Sequence, residues 1–131
     1  MNIWRVFKTV IKGLGIDIAR VDRFDERMVK RFLTLKEKEE YDSMTSEKRR
    51  REYIAGRWAI KEAFVKALGK GFGAISPKDI EVLHDKNGAP VVSFRGESLN
   101  DKCMVSLSHD GDYAVAVVVL LSNIEIPVNS R

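Results

Sequence analysis

The chain has 131 residues, of which 44% are hydrophobic and 32% charged, with a formal net charge of +4. This length is typical of one domain, and the composition excludes a disordered chain. No apolar run approaches the ~20 residues that a membrane-spanning helix requires. The single cysteine, Cys103, excludes an intrachain disulfide and fits a reducing, cytoplasmic setting. The positive charge favours an acidic or phosphorylated partner but does not choose among nucleic acid, lipid, small ligand and protein.

Residues 1–12 precede the first strong structural signal and contain no acidic side chain. Their apolar residues recur at helical spacing with basic residues between them, which predicts a surface helix or an extended start. A helix lying on a membrane surface is the alternative. The apolar run Leu14–Ile18 then predicts a first strand, which Asp17 interrupts. We expect residues 1–131 to form one domain, with residues 1–12 as an N-terminal extension.

Three helices are predicted before residue 70. The segment Asp22–Arg31 predicts a short helix, and the capping-box pattern Thr34–Glu37 begins a second one. Ser46 can cap a third, long helix over Glu47–Leu68, which ends at Gly69, a residue type common just after a helix C-terminus. A glycine-rich loop follows.

After this loop the periodicity changes from helical to alternating. Asp79–His84 and Pro90–Phe94 predict two strands around the turn signal Asp85–Gly88, and Cys103–Ser108 and Tyr113–Leu121 predict another pair. Helices therefore precede strands, apart from the first strand. This order predicts an α+β fold, in which a mainly antiparallel sheet packs on one long helix and short N-terminal helices come before it.

The predicted long helix has apolar residues on two faces, which indicates a largely buried helix. Between these faces, Ala55, Ala59, Glu62 and Lys66 form one narrow strip at about 100° per residue. Glu62 and Lys66 have the spacing of an ordinary ion pair. Alternatively, Glu62 holds a hard cation such as Mg²⁺ together with Asp17, since an acid within an apolar strand is costly unless it is paired. Strand alternation could equally point Asp17 to solvent, so the residues alone leave both interpretations open.

Other polar features are weaker signals. His109 at a strand end and the basic run Arg49–Arg51 are each typical of a solvated surface. The loop Gly69–Gly73 follows a helix C-terminus, so the helix dipole does not favour a phosphate there. No Cys/His metal cluster, nucleophile elbow or dinucleotide fingerprint occurs in the sequence. On this basis the chain is a basic α+β domain with two candidate metal-binding carboxylates.

Six segments in a fixed order carry a more specific pattern. They are Gly13–Ile18, Arg31–Thr34, Glu52–Gly73, Ser76–Val82, Asn87–Pro90 and Ser106–Val119. The third segment contains GRWAIKEAFVKALG, which is the most specific part of the pattern. Through these segments the chain resembles the holo-(acyl-carrier-protein) synthases of the phosphopantetheinyl transferase superfamily over roughly residues 12–121.

The resemblance implies an activity and a set of partners. Members of the family transfer 4′-phosphopantetheine from coenzyme A to a serine of an acyl carrier protein, in support of fatty acid biosynthesis and lipid metabolism. Adenosine 3′,5′-bisphosphate is released. The implied cofactor is Mg²⁺, with Mn²⁺ as a substitute, and coenzyme A is the co-substrate. Family members are typically homotrimers with each active site between two subunits, and neither nucleic acid nor a membrane span is expected.

The resemblance also implies roles for individual residues. Asp17 and Glu62 match the metal-binding carboxylates, and Glu62 and Lys66 match catalytic positions, with Lys66 near the pyrophosphate. The positions that bind coenzyme A are Arg49, Arg57, Lys66, Gly69, Lys70, Gly71, Phe72 and His109. Of these, the arginine and histidine positions lie near the 3′-phosphate. A metal-bound water acting with Glu62 is the candidate base for the serine proton.

A carrier-docking surface is predicted on the helix Asp22–Arg31. On a helical wheel its basic residues share an arc of about 100°, while its acidic residues lie opposite. The residues assigned to docking are Arg20, Arg23, Arg27 and Arg31. An amphipathic surface helix with solvated charges is the alternative, and the family resemblance favours docking of an acidic carrier helix.

Three departures from the family pattern stand out. The extension before Lys12 is long, Asp110 follows His109 where serine or threonine is more usual, and Lys70 stands where relatives often have threonine. Asp110 either weakens phosphate binding or points away, and Lys70 adds a compensating charge. Two other classes remain as alternatives. A nucleic-acid-binding module is disfavoured because the strands carry few aromatic side chains, and an inactive interaction protein is disfavoured by the retained carboxylates and lysine.

Overall fold

A computed structural model describes the backbone of residues 3–129 and the side chains of residues 6 and 8–123. The helices are α1 (Val29–Phe32), α2 (Leu35–Asp42) and α3 (Glu47–Ala67), and the strands are β1 (Ile3–Arg20), β2 (Ile80–His84), β3 (Pro90–Phe94), β4 (Glu97–Ser98), β5 (Cys103–Asp110) and β6 (Tyr113–Asn129). The strands form two antiparallel sheets, in the orders β1-β6-β5 and β2-β3-β4. The predicted α+β class is confirmed, although the short strand β4 had no signal in the sequence.

Helix α3 is the centre of the structure. It begins where predicted, because the Ser46 hydroxyl accepts a backbone N–H of the first turn at 3.3 Å. It ends before Gly69, whose φ of +71° is a conformation that glycine adopts without strain. Its two apolar faces are both buried, and Ala55 and Ala59 in the strip between them are fully buried as well. The small side chains let the first sheet approach the helix closely.

Two glycines set the distance between β1 and α3. A Cβ atom on Gly13 would overlap the carbonyl oxygen of Ala67, and one on Gly15 would overlap that of Ala63. The strand backbone therefore packs directly against the helix backbone, which only glycine permits. Alternation along β1 then turns the next residue of this face, Asp17, toward the same helix.

The N-terminal segment is extended, which confirms one of the two predicted conformations for residues 1–12 over the part described. Residues 3–11 of β1 pair with residues 121–129 of β6. A β-bulge between Ile11 and Gly13 then shifts the register by one residue, so that Gly13 pairs with Leu120. The helical spacing of the apolar residues was thus misleading. Backbone pairing with a distant strand outweighed this weak local pattern.

The predicted helix over Asp22–Arg31 is wrong. The chain forms 3₁₀ turns at Val21–Arg23 and Glu26–Met28, followed by the single turn of α1. Asp25 interrupts the helix because its backbone is extended and its carboxylate accepts the backbone N–H of Arg27 at 2.9 Å. Aspartate competes with helical hydrogen bonding in this way at many helix starts.

The predicted capping box at the start of α2 is confirmed, and it also joins the helices to the second sheet. The Glu37 carboxylate accepts the Thr34 backbone N–H at 2.9 Å and the Val82 backbone N–H of β2 at 2.8 Å. Lys61 of α3 donates to the same carboxylate at 2.6 Å and to the Phe32 carbonyl at 2.6 Å. Both charged side chains are fully buried. The pair therefore ties α1, α2, α3 and β2 together.

The two faces of the first sheet differ in environment. Its inner face is covered by α3, with Ala114, Ala116 and Val118 of β6 fully buried. On the outer face Leu14, Ile16, Ile18 and Met104 are each between 60% and 66% exposed. A large apolar patch of this kind is uncommon on a monomer. No helix within the described chain is long and apolar enough to cross a membrane.

Candidate active site

Two carboxylates and a lysine meet where β1 packs against the C-terminal half of α3. Asp17 faces the helix and is only 15% exposed, so the interpretation that it points to solvent is wrong. Lys66 Nζ lies 3.2 Å from Asp17 Oδ1 and donates to the Ile16 carbonyl at 3.0 Å. Among the described residues the ion pair of Lys66 is with Asp17, rather than with Glu62 as the helical spacing suggested.

The electrostatics of this site favour a cation. Burial raises the pKa of Glu62, and the negative charge of Asp17 raises it further, while Lys66 opposes the shift. The two carboxylates are thus close enough to repel each other, and a divalent ion would relieve this repulsion. The described residues contain no cluster of three or more acidic, histidine or cysteine side chains. The pair fits Mg²⁺, which is commonly bound by one or two carboxylates with water and phosphate as the other ligands.

A second candidate site is a cavity of about 320 Å³ at the other end of α3. It is lined by Met44, Arg49, Glu52, Tyr53, Arg57, His84, Leu107 and His109. The His109 ring is oriented by Nε2, which donates to the Glu52 carbonyl at 3.2 Å. Arg49 is exposed on the first turn of the helix. The structure thus brings three of the predicted coenzyme A-binding residues, Arg49, Arg57 and His109, to one cavity.

Arg57 lines this cavity with a side chain that is almost completely buried. It is only 2% exposed, and its Nη2 donates to Glu40 Oε1 at 3.3 Å and to the His84 ring at 3.2 Å. Its guanidinium also lies 4.3 Å from the centre of the Tyr53 ring. The Arg57 Nε atom has no hydrogen-bond partner in the described structure. A buried donor without a partner is costly to the fold.

Sequence reasoning missed two residues in this region. His84 joins Arg57 and Glu40 at the end of β2. The available signal was that His84 ends one predicted strand, His109 directly follows another, and each of these two histidines precedes an aspartate. Lys61 was also missed, although its wheel position falls within an apolar face of α3, where a charge requires a buried partner.

The glycine-rich loop lies beyond the C-terminus of α3. Gly69 and Lys70 donate backbone N–H groups to the carbonyls of Lys66 and Val65, at 2.9 Å and 3.1 Å, and so complete the helix end. The Lys70 side chain is exposed. Phe72 is half-buried, because its ring stacks on Trp58 with 5.3 Å between ring centres. The loop therefore adjoins Lys66 but not the cavity at the other end of the helix.

The four arginines predicted to dock a carrier protein do not share one helical arc. Arg20 pairs with Asp22 at 2.9 Å, and Arg27 pairs with Asp25 at 2.7 Å, so basic and acidic side chains are not segregated. Arg31 lies over a neighbouring aromatic ring. Arg20 and Arg23 line a cavity of about 350 Å³ whose other lining residues are Ile18, Ala19, Phe24, Trp58 and Tyr113.

Comparison with known proteins decides the family. The 4′-phosphopantetheinyl transferase superfamily matches residues 13–118. The chain belongs to this superfamily. Within it, the chain is 44% identical over 118 residues to a holo-[acyl-carrier-protein] synthase of Oceanobacillus iheyensis, covering 85% of this chain and 97% of the relative. A synthase of the same name from Streptococcus thermophilus is 42% identical over 123 residues, covering 87% and 98% of the two chains.

Solved structures of phosphopantetheinyl transferases share the fold. The holo-(acyl-carrier-protein) synthase of Bacillus anthracis, in complex with CoA (3′,5′-ADP), has a TM-score of 0.76 and 38% identity, covering 86% of this chain and 97% of the other. The Thermotoga maritima synthase has a TM-score of 0.72 and 43% identity, covering 85% and 64% of the two chains. The resemblance predicted from the sequence is confirmed, and the chain is a phosphopantetheinyl transferase.

Proposed function

We propose that this transferase moves 4′-phosphopantetheine from coenzyme A to a serine of an acyl carrier protein with Mg²⁺ bound at Asp17 and Glu62. The observation that carries the proposal is the meeting of these carboxylates with Lys66, on facing elements of the fold. Mn²⁺ fits the same oxygen ligands. We extend the proposal to one transferase domain over residues 1–131, with 1–12 as an extension, acting in the cytoplasm in support of fatty acid biosynthesis.

The reaction breaks the pyrophosphate of coenzyme A, so charge on phosphate oxygens must be neutralised. When bound, Mg²⁺ supplies Lewis-acid stabilisation of that charge. Lys66, 52% exposed and held by its hydrogen bond to the Ile16 carbonyl, is available to the leaving phosphate. Glu62, acting with a metal-bound water, is the candidate base for the serine proton.

The separation of the two candidate sites supports an active site shared between subunits. At about 1.5 Å per residue, Arg49 lies roughly 20 Å from Glu62 along α3. In coenzyme A the pyrophosphate and the 3′-phosphate are attached to the same ribose, only a few bonds apart. One subunit therefore cannot hold the pyrophosphate at Glu62 and the 3′-phosphate of the same molecule between Arg49 and His109. Two subunits can do so if the cavity of one faces the carboxylates of the other.

The outer face of the first sheet supplies a surface for such an assembly. Exposed Leu14 and Ile16 of β1 lie directly opposite half-buried Val119 and Val117 of β6, so the apolar surface continues across the strands. Burial of apolar surface stabilises association by about 25 cal/mol for each Å² removed from water. The number of subunits, three, comes from the family resemblance, and we propose a homotrimer on that basis.

For the carrier protein we propose the surface around Arg20 and Arg23. Trp58 and Tyr113 line the same cavity, so apolar aromatic surface lies beside the positive charge of the two arginines. Arg27 and Arg31 lie further along the same segment and would extend the positive field, although Arg27 is already paired with Asp25. An acidic helix with apolar residues fits this combination of charge and apolar surface.

Mass spectrometry of the carrier protein tests the proposed function. Apo acyl carrier protein incubated with the enzyme, coenzyme A and Mg²⁺ should gain the mass of one phosphopantetheine at its serine. Addition of a chelator should abolish the reaction, and Mg²⁺ or Mn²⁺ in excess should restore it. Asp17→Asn should lack activity under all of these conditions. An unmodified carrier with the wild-type enzyme, or full modification in the presence of chelator, would contradict the proposal.

A further inference from the structure

The middle of the glycine-rich loop is held to the rest of the protein by one side chain. Backbone hydrogen bonds fix the start of the loop, Gly69 and Lys70, to the end of α3. At the other end Arg95 Nη2 donates to the Ala74 carbonyl at 3.1 Å, and Ile75 is buried, so only residues 71–73 remain between the two fixed ends. Between these points Gly71 and Gly73 have no side chain, and a Cβ placed on either would touch nothing within 4 Å. Phe72, between the two glycines, is therefore the contact that decides where this part of the loop lies.

Phe72 rests on a rigid platform. Its ring and that of Trp58 are 5.3 Å apart with an angle of 26° between their planes. Trp58 also packs on Phe32, with ring centres 4.3 Å apart. Because Trp58 lies on α3 one helical turn before Glu62, this platform is fixed to the same rigid helix that carries the catalytic carboxylate.

The loop held in this way presents free hydrogen-bond donors. In the described structure the backbone N–H groups of Gly71, Phe72 and Gly73 donate to no protein group, and the two glycines are exposed. Successive free backbone N–H groups in a turn are suited to phosphate oxygens, even where a helix dipole does not favour an anion. Lys66, one turn before the loop, is on the same side of the fold as Asp17.

We propose that Trp58 is a positioning residue for coenzyme A: it holds Phe72, and through Phe72 it presents the loop amides of residues 71–73 to the phosphates of the donor. This inference rests on the proposed function, in which coenzyme A is the donor. In this arrangement the Phe72 ring does not contact coenzyme A, and the backbone N–H groups of residues 71–73 bind its phosphates. Trp58 acts without touching the phosphates.

A double-mutant cycle in the full-length enzyme separates this role from a general loss of packing. The Michaelis constant (KM) for coenzyme A is measured at saturating carrier protein for Phe72→Leu, Trp58→Ala and the double variant. The interaction energy of an aromatic pair of this geometry corresponds to a change of about two- to tenfold in a binding constant. We expect Phe72→Leu to raise the KM for coenzyme A by that factor with little change in kcat, and we expect the double variant to be no worse than Trp58→Ala alone. Trp58→Phe should retain most of the wild-type affinity.

Phe94→Leu is the matched control, because it removes the aromatic pair of Phe94 with Phe64, whose ring centres are 5.4 Å apart. It should lower the melting temperature without raising the KM for coenzyme A. Additive effects of the Trp58 and Phe72 substitutions, or an unchanged KM in Phe72→Leu, would overturn the inference. A wild-type enzyme that does not turn over coenzyme A would instead overturn the proposed function, so the two failures are distinguishable.

Discussion

Removal of the buried cation Lys61 is expected to destabilise the fold severely. Lys61 and Glu37 are both fully buried with their charged atoms 2.6 Å apart, and Lys61 also donates to the Phe32 carbonyl. Lys61→Met keeps the length of the side chain but leaves the Glu37 carboxylate buried without its cation. Loss of one member of a buried ion pair typically costs about 3–5 kcal/mol. For a domain of this size that loss lowers the melting temperature by roughly 10–20 °C.

Thermal unfolding followed by circular dichroism measures this loss at a fixed protein concentration, since assembly makes the melting temperature depend on concentration. Lys38→Met is the matched control, because Lys38 pairs with Asp42 at 2.6 Å with both side chains about half exposed. That variant should change the free energy of unfolding by less than about 0.5 kcal/mol. Glu37→Gln combined with Lys61→Met should recover part of the loss, because no unpaired charge remains. If Lys61→Met is as stable as Lys38→Met, the buried pair does not hold the elements together.

Four further predictions concern the active site and its partners. Glu62→Gln should lower kcat/KM by about 100-fold or more, as loss of a group that acts on transition-state charge commonly does, while its melting temperature stays equal to or above that of the wild type. His109→Ala should narrow the preference for coenzyme A over dephospho-coenzyme A by about tenfold, the value of a charge-assisted hydrogen bond. Ile16→Asp, on the outer sheet face, should yield monomers in light scattering and little activity. Arg23→Glu should raise the KM for carrier protein several-fold at low salt, with less effect at high salt, since exposed charges are screened within about 8–10 Å.

The stability of Glu62→Gln has a defined pH dependence. The unfolded carboxyl of Glu62 ionises near its ordinary pKa of 4.5, whereas burial and Asp17 raise its pKa in the folded protein. In the interval between these values the folded state binds more protons, so the wild type loses stability as the pH rises through it. Glu62→Gln does not titrate and escapes this loss. The melting temperature of Glu62→Gln minus that of the wild type, measured without metal, should therefore increase as the pH rises above 4.5. A decrease in this difference would contradict the assigned direction of the Glu62 pKa shift.

Controls exist for the other three predictions. Leu35→Asp is matched to Ile16→Asp, because Leu35 is 83% exposed on α2, away from the sheet face, and should leave assembly unchanged. Arg27→Glu is matched to Arg23→Glu, and its effect on the carrier KM should be smaller because Asp25 already neutralises Arg27. For His109→Ala the control is the KM for dephospho-coenzyme A, which should stay near that of the wild type. An unchanged preference between the two donors would remove His109 from the 3′-phosphate site.

The sequence alone determined those elements whose backbone groups are satisfied by neighbours in the chain. The capping box of α2, the Ser46 cap of α3 and the hairpin of β2 and β3 were predicted within one or two residues. Each depends on hydrogen bonds between residues a few positions apart, so a short window contains the whole physical cause. The family resemblance, and with it the activity, was also readable from the sequence, because the most specific part of the pattern, GRWAIKEAFVKALG, is one continuous run.

Only the tertiary structure decided which ion pairs the charged side chains form. Lys66 has a carboxylate four residues away in Glu62, yet it pairs with Asp17, which lies 49 positions away in sequence. Lys61 is buried because Glu37 is brought to it from another helix, and β1 is long because the far end of β6 pairs with it. A local sequence pattern reveals only the possible partners within one helix or strand. These ion pairs instead depend on burial and on contacts between segments that are distant in the sequence. The physical reason is that Asp17, Glu37 and Lys61 are largely or fully buried, so leaving any of them without a partner is costly, and only the fold decides which partner lies beside each one.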